Sequence, residues 1–271
     1  MQSLKASLRR RFARLKHRSR ACFNLRRPMV SFCFDQAPAS AADVGAALLD
    51  ARDVKGTYFV CGGMVGKPSL TGCNATPEQL GRLLASGHEI ACHTLSHLDC
   101  GEASVEWIDE EVTKNRWAFA ELGAPNPSCF AYPSGQVSAR AKGVLSGRFA
   151  LLRGQRRGLV VNGCDLNQAP AVAVEGPNGE AIARRWIQRA IRERAWLILY
   201  THDVAEAPSP KGCTPAALGR LLDQALEGGA RIVSVSDGCR RIGALGGRSR
   251  GKGWTPAGTL SRPAPAHYAR R

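Results

Sequence analysis

Long apolar runs are missing from this chain of 271 residues. None reaches the roughly 20 residues that a helix needs to cross a bilayer. The N-terminus is basic but lacks the apolar segment and small-residue cleavage pattern of an export signal, so a cytoplasmic location is expected. Aromatic residues are scarce, so the core must be mainly aliphatic. None of the ten cysteines forms a CxxC pair. Cys33, Cys61 and Cys92 sit inside apolar segments and read as small, reduced, buried hydrophobes.

Acidic residues are absent from both ends. Residues 1–28 hold ten Lys/Arg and residues 240–271 hold eight, and neither segment has an Asp or Glu. Twenty basic residues then face 22 acids in between, so the formal charge of +16 belongs to the tails. A body this balanced argues against nucleic acid as a partner of the domain. In the first tail Leu4, Leu8, Phe12 and Leu15 recur at helical spacing among arginines. That pattern fits a flexible or partly helical extension, and also a weak, membrane-peripheral contact with anionic lipid. Three regions are therefore expected: a basic extension over 1–28, one domain over 29–239, and a basic Gly/Pro-rich tail over 240–271.

Within the body, strand and helix patterns alternate. PMVSFCFD, GTYFVCGG, HEIACHT, PSCFAYPSG and WLILYTHDV read as apolar strands. ATPEQLGRLLASG opens with Thr76 and Gln79 three residues apart, a capping box, and closes on Gly87. Apolar strands without alternation are buried on both faces, which argues for parallel α/β architecture with about seven strands. Both an open sheet and a barrel satisfy the pattern.

The polar residues gather at strand ends. Asp35, His93 and His202 each lie at or just past the C-terminal end of a strand, where barrels and open α/β sheets both build sites. His93 and His97 are four apart. On a helical turn they would face one metal ion; an ordinary hydrogen-bonded pair has the same spacing. His88 precedes its strand and reads as structural. His202 could serve as acid or base near neutral pH, oriented by Asp203 or another nearby carboxylate; a hydrogen-bonded histidine at a strand end has the same pattern. In FAYPSG, Pro133 and Gly135 would turn the chain so that the Ser134 N–H faces a site.

Taken in order, FDQAP, HTLSH, FAYPSG, CDL and ILYTHDV resemble the five sequence blocks of the polysaccharide deacetylase family. These are metal-dependent enzymes that remove N-acetyl groups from chitin-like oligosaccharides and peptidoglycan. The resemblance covers roughly residues 29–239 and implies a distorted parallel (β/α) barrel. It implies Asp35 as general base, His202 as general acid, His93 and His97 as ligands of a divalent metal such as zinc, and an acetylated carbohydrate as substrate. Tyr132 and Ser134 would meet the substrate or its oxyanion, with Asp165 and Asp203 in support.

The chain departs from the family pattern at several points. Where the family has Phe-Asp-Asp-Gly-Pro, Gln36 replaces the metal-binding Asp and Ala37 replaces the glycine. Ala131 stands where many members have an arginine, and Leu166 where a tryptophan is usual. Gln36 could ligate through its amide oxygen but brings no charge. Three readings follow: a working deacetylase, a non-catalytic carbohydrate-binding relative, or an adaptor for anionic surfaces that works through its basic tails.

Overall fold

The computed structural model describes residue 9 and residues 11–245. The C-terminal tail beyond 245 lies outside the described residues, as do Leu4 and Leu8 of the helical pattern in the first tail. No helix among the described residues is long and apolar enough to cross a membrane.

The expected alternation is present. Strands β1 (Met29–Asp35), β2 (Thr57–Val60), β5 (Glu89–Cys92), β6 (Cys129–Ala131), β7 (Leu151–Arg153), β8 (Val172–Ala173), β9 (Trp196–Thr201) and β10 (Arg231–Ile232) form one sheet. Its order is β7-β6-β5-β2-β1-β9-β8, with β10 on the first residues of β1, and every pairing is parallel. A separate hairpin joins β3 (Pro68–Ser69) and β4 (Gly72–Cys73).

The sheet curls towards closure. Beyond its edge strand β7, Arg153 bridges to Ala169, and three residues later Val172 pairs with Leu199 of β9. This irregular closure makes the barrel distorted, as the family resemblance implied.

Helices cover the outside: α1 (Ala46–Asp50, continuing a π-turn over Ala41–Gly45), α2 (Pro77–Ala85), α3 (Val105–Glu121), α4 (Ala139–Ser146), α5 (Gly179–Arg192), α6 (Pro215–Glu227) and α7 (Val235–Arg241). The capping box forms at α2: the Gln79 N–H donates to Thr76 Oγ1, and the Thr76 N–H donates to Gln79 Oε1. RIVSVSDG, which reads as a strand, is cut after two strand residues because Ser234 caps α7. GLVVNG makes only an isolated bridge, between Val160 and Trp196.

Strand parity sorts the core into two layers. Val30, Phe32 and Phe34 of β1 pack outward with Tyr58, Leu152, Leu197 and Leu199 beneath the helices. Met29 and Cys33 face inward with Phe59, Ala91, Ala131, Leu151, Trp196, Ile198 and Tyr200. Successive side chains on a strand point to opposite faces, so this parity decides which polar residues can meet.

The described part of the N-terminal extension is bonded to the body. Ala21 exchanges hydrogen bonds with residues 163–164, Lys142 Nζ donates to Ala13 O, and Asn167 donates to His17 O. The buried Lys142 needs an acceptor for its charge, and the extension supplies one.

Candidate active site

Asp35 ends β1 on the inward parity of Met29 and Cys33. His93 follows β5 on the parity of Ala91, and His202 follows β9 on that of Tyr200. Arg153 ends β7 on the parity of Leu151. Because β5, β2, β1 and β9 are neighbours, these ends open on the C-terminal side of one barrel.

Asp35 is only 1% exposed and Arg153 is fully buried. Arg153 Nη2 lies 2.6 Å from both carboxylate oxygens. The guanidinium sits over the rings of Phe59 and Tyr200, at 5.1 and 4.6 Å from their centroids. Burial alone would raise the Asp35 pKa, but the charges of Arg153, His93 and His202 outweigh it and hold the carboxyl below its ordinary value.

His93 Nδ1 donates to the carbonyl of Ala131 at 2.8 Å, which leaves Nε2 as the ring's lone pair. Burial pushes the His93 pKa down to about 3, opposed by Asp35, so the ring is neutral. The His97 ring meets it edge to face at 5.0 Å between centroids. The two do not share a helical turn, as the spacing suggested. HTLSH is a loop in which Thr94 and His97 both have positive φ, at 62° and 63°.

A buried carboxylate, not recognised in the sequence, holds that loop. Glu111 of α3 accepts from the N–H groups of Leu95 and Ser96 and from Ser96 Oγ, at 2.8–2.9 Å. The glycines after β2 admit the loop: a Cβ on Gly63 would lie 2.9 Å from Leu95 O.

His202 is oriented by Glu175, whose carboxylate accepts from Nδ1 at 3.1 Å. Asp203 does not take that part. It accepts from Ser209 N and Ser209 Oγ and so ties down the following loop.

Two other expected site residues lie elsewhere. Tyr132 shares the outward parity of Phe130, is fully buried, and donates its hydroxyl to Asn167 O and its N–H to Arg153 O. Asp165 accepts from Lys142 Nζ and from the N–H groups of Ser19 and Asn167, so it anchors the N-terminal extension. Ser134 is exposed at φ 51°, and the bonds of its turn use the N–H groups of Gly135 and Gln136 instead of its own.

Gln36 follows Asp35 at φ 62°, with Ala37 at φ 47°. Two successive left-handed residues without glycine store strain next to the site. Among the described residues no group of three or more His, Cys, Asp and Glu could hold a metal ion. The donors fit a divalent cation in kind. Two imidazoles stand together, and the buried one has its Nδ1–H fixed on a carbonyl, as metal-binding histidines usually do. They fall short in charge: Gln36 is neutral, and Arg153 neutralises Asp35.

Residues 24–146 match the sequence profile of the polysaccharide deacetylase family. No curated protein matches the chain in sequence. Solved structures share its fold at low identity. A polysaccharide deacetylase candidate from Mycobacterium smegmatis superposes with a TM-score of 0.66 over 91% of this chain and 99% of that one, at 16% identity. The chitin deacetylase of the fungal pathogen Colletotrichum lindemuthianum gives 0.56 over 79% and 89%, at 19% identity. A mutant of a CE4 family pseudoenzyme with restored enzymatic activity gives 0.52 over 79% and 68%, at 15% identity.

Proposed function

We propose that the chain is a hydrolase of the polysaccharide deacetylase kind, removing acetyl groups from an acetylated sugar or oligosaccharide; the match of residues 24–146 to that family's sequence profile supports the reading. The observation that carries this reading is the pair of oriented proton carriers beside two imidazoles: Asp35 held by Arg153, and His202 held by Glu175.

His93 and His97 would hold a divalent ion such as zinc, with Gln36 as a neutral third donor, and the ion would polarise the acyl carbonyl and acidify a water. Asp35, kept ionised by its neighbours, accepts a proton from the attacking water. The Ser134 N–H donates to the oxygen that gains charge. His202, with Nδ1 fixed on Glu175, uses Nε2 to protonate the departing amine. A positioned acid or base of this kind contributes roughly 10²–10⁴-fold.

The neutral Gln36 favours a second reading. A site with no net negative charge of its own holds a cation weakly, and such a chain would bind acetylated sugar without turning it over. One comparison separates the two readings. Amine and acetate release from acetylated chito-oligosaccharides is followed while zinc or cobalt is titrated into the native chain and into Gln36→Asp. The hydrolase reading expects release from both, with the variant saturating at lower metal. Release from Gln36→Asp alone, with saturable sugar binding by the native chain, assigns the native sequence to the second reading.

A further inference from the structure

We propose that Arg153 is the positioning residue for Asp35, and that it supplies from β7 the guanidinium that the chain lacks at Ala131 on β6. The inference rests on the hydrolase reading for its kinetic arm only.

Register is the first observation. Ala131 and Arg153 are direct partners in the parallel β6–β7 pair, and both face the barrel interior. A side chain that starts at either residue enters the same space. Size is the second. Ala131 contributes only a methyl group, while its carbonyl holds His93. An arginine at both positions would set two cations in one closed interior against the single carboxylate of Asp35. One small and one long residue across the pair solve the packing, and here the long one is on β7.

The third observation is how the guanidinium spends its donors. Arg153 is fully buried, yet among the described residues Nε has no partner and Nη1 reaches only Gly154 O at 3.4 Å. Buried arginines usually have their donors satisfied. Here the good geometry is all on Nη2 and Asp35, and Phe59 and Tyr200 hold the plane by its faces. That arrangement fixes the direction of one carboxylate more than it serves the arginine.

The test moves the guanidinium back. Three variants are compared with the native chain: Arg153→Met, Arg153→Lys, and the double variant Arg153→Met with Ala131→Arg. Breaking a buried ion pair from one side should lower the melting temperature by about 10 °C in Arg153→Met. With zinc present, kcat for acetate release should fall about 100-fold while KM stays within threefold, as for a base turned out of line. Lysine has no fork and should recover melting more than kcat. The double variant should recover kcat to within tenfold of native. Recovered melting with kcat still at the Arg153→Met level would overturn the proposal.

If the native chain releases no acetate with any ion, the hydrolase reading fails, and the inference is decided by melting alone. Asp35→Asn should then shift melting in the native chain, shift it little in Arg153→Met, and shift it again in the double variant. The same Asp35→Asn shift in all three backgrounds would overturn it.

Discussion

Glu111→Ala tests how the second histidine is held. Glu111 lies on α3, far in sequence from the strand ends, and its carboxylate accepts three hydrogen bonds from Leu95 and Ser96. Hydrogen bonds to a charged group contribute about 1.5–3 kcal/mol each in favourable cases. The loop can recover part of this from water once the carboxylate is gone, so a net loss of about 3 kcal/mol is expected. For a chain of this size that lowers the melting temperature by roughly 6–12 °C. Thr94 and His97 sit at positive φ, so a loop freed from Glu111 will relax away from that geometry. Cobalt affinity, read by titration calorimetry, should therefore fall at least tenfold, while Glu111→Gln, which keeps one acceptor oxygen, should lie between. A variant that melts within 2 °C of native, or binds cobalt as the native chain does, would refute the reasoning.

Other perturbations separate catalysis from stability. Glu175→Gln should cut kcat at least tenfold with little change in melting, whereas Asp203→Asn should lower melting through the 203–209 loop; the reverse pattern would restore Asp203 as the partner of His202. Glu89 is half-buried, and desolvation of its carboxylate holds its pKa above the ordinary value against the hydrogen bonds of Ser236 and Thr57. The folded chain therefore keeps a proton that the unfolded chain releases, so this group's contribution falls as pH rises from about 4.5 through the raised value. Glu89→Gln should then gain stability relative to native between pH 4 and pH 7, measured by thermal melts; a constant difference would contradict the assignment. Lys142→Met leaves Asp165 without its cation and should expose the 11–25 segment to limited proteolysis before the barrel unfolds. Simultaneous cleavage of both would show that the extension is integral to the fold.

Much of this architecture was legible in the residues. The strand–helix alternation, the capping box at Thr76, and the polar residues at the ends of β1, β5 and β9 all follow from local pattern. Strand parity was not legible. Strands buried on both faces show no alternation, so nothing in FAYPSG says that Ala131 faces inward and Tyr132 outward. The same gap hides the partner of His202: nothing in YTHDV says that Asp203 bonds Ser209 while Glu175 meets the imidazole. Arg153 sits in LLRGQRRG, where a run of arginines reads as surface. Glu111 lies in EWIDEEVTK, among carboxylates that mostly face water. Glu175 stands in a loop 27 residues before His202, with no pattern to join them. Each of these partners is set by register or helix packing, which no local window contains.

The central claim is that His93 and His97 share one cation beside Asp35. X-ray absorption at the zinc edge of the zinc-loaded protein tests it most directly. Two imidazole nitrogens at about 2.0–2.1 Å are predicted in the native chain, and one in His97→Ala. A zinc shell without imidazole, or one unchanged by His97→Ala, would contradict the account.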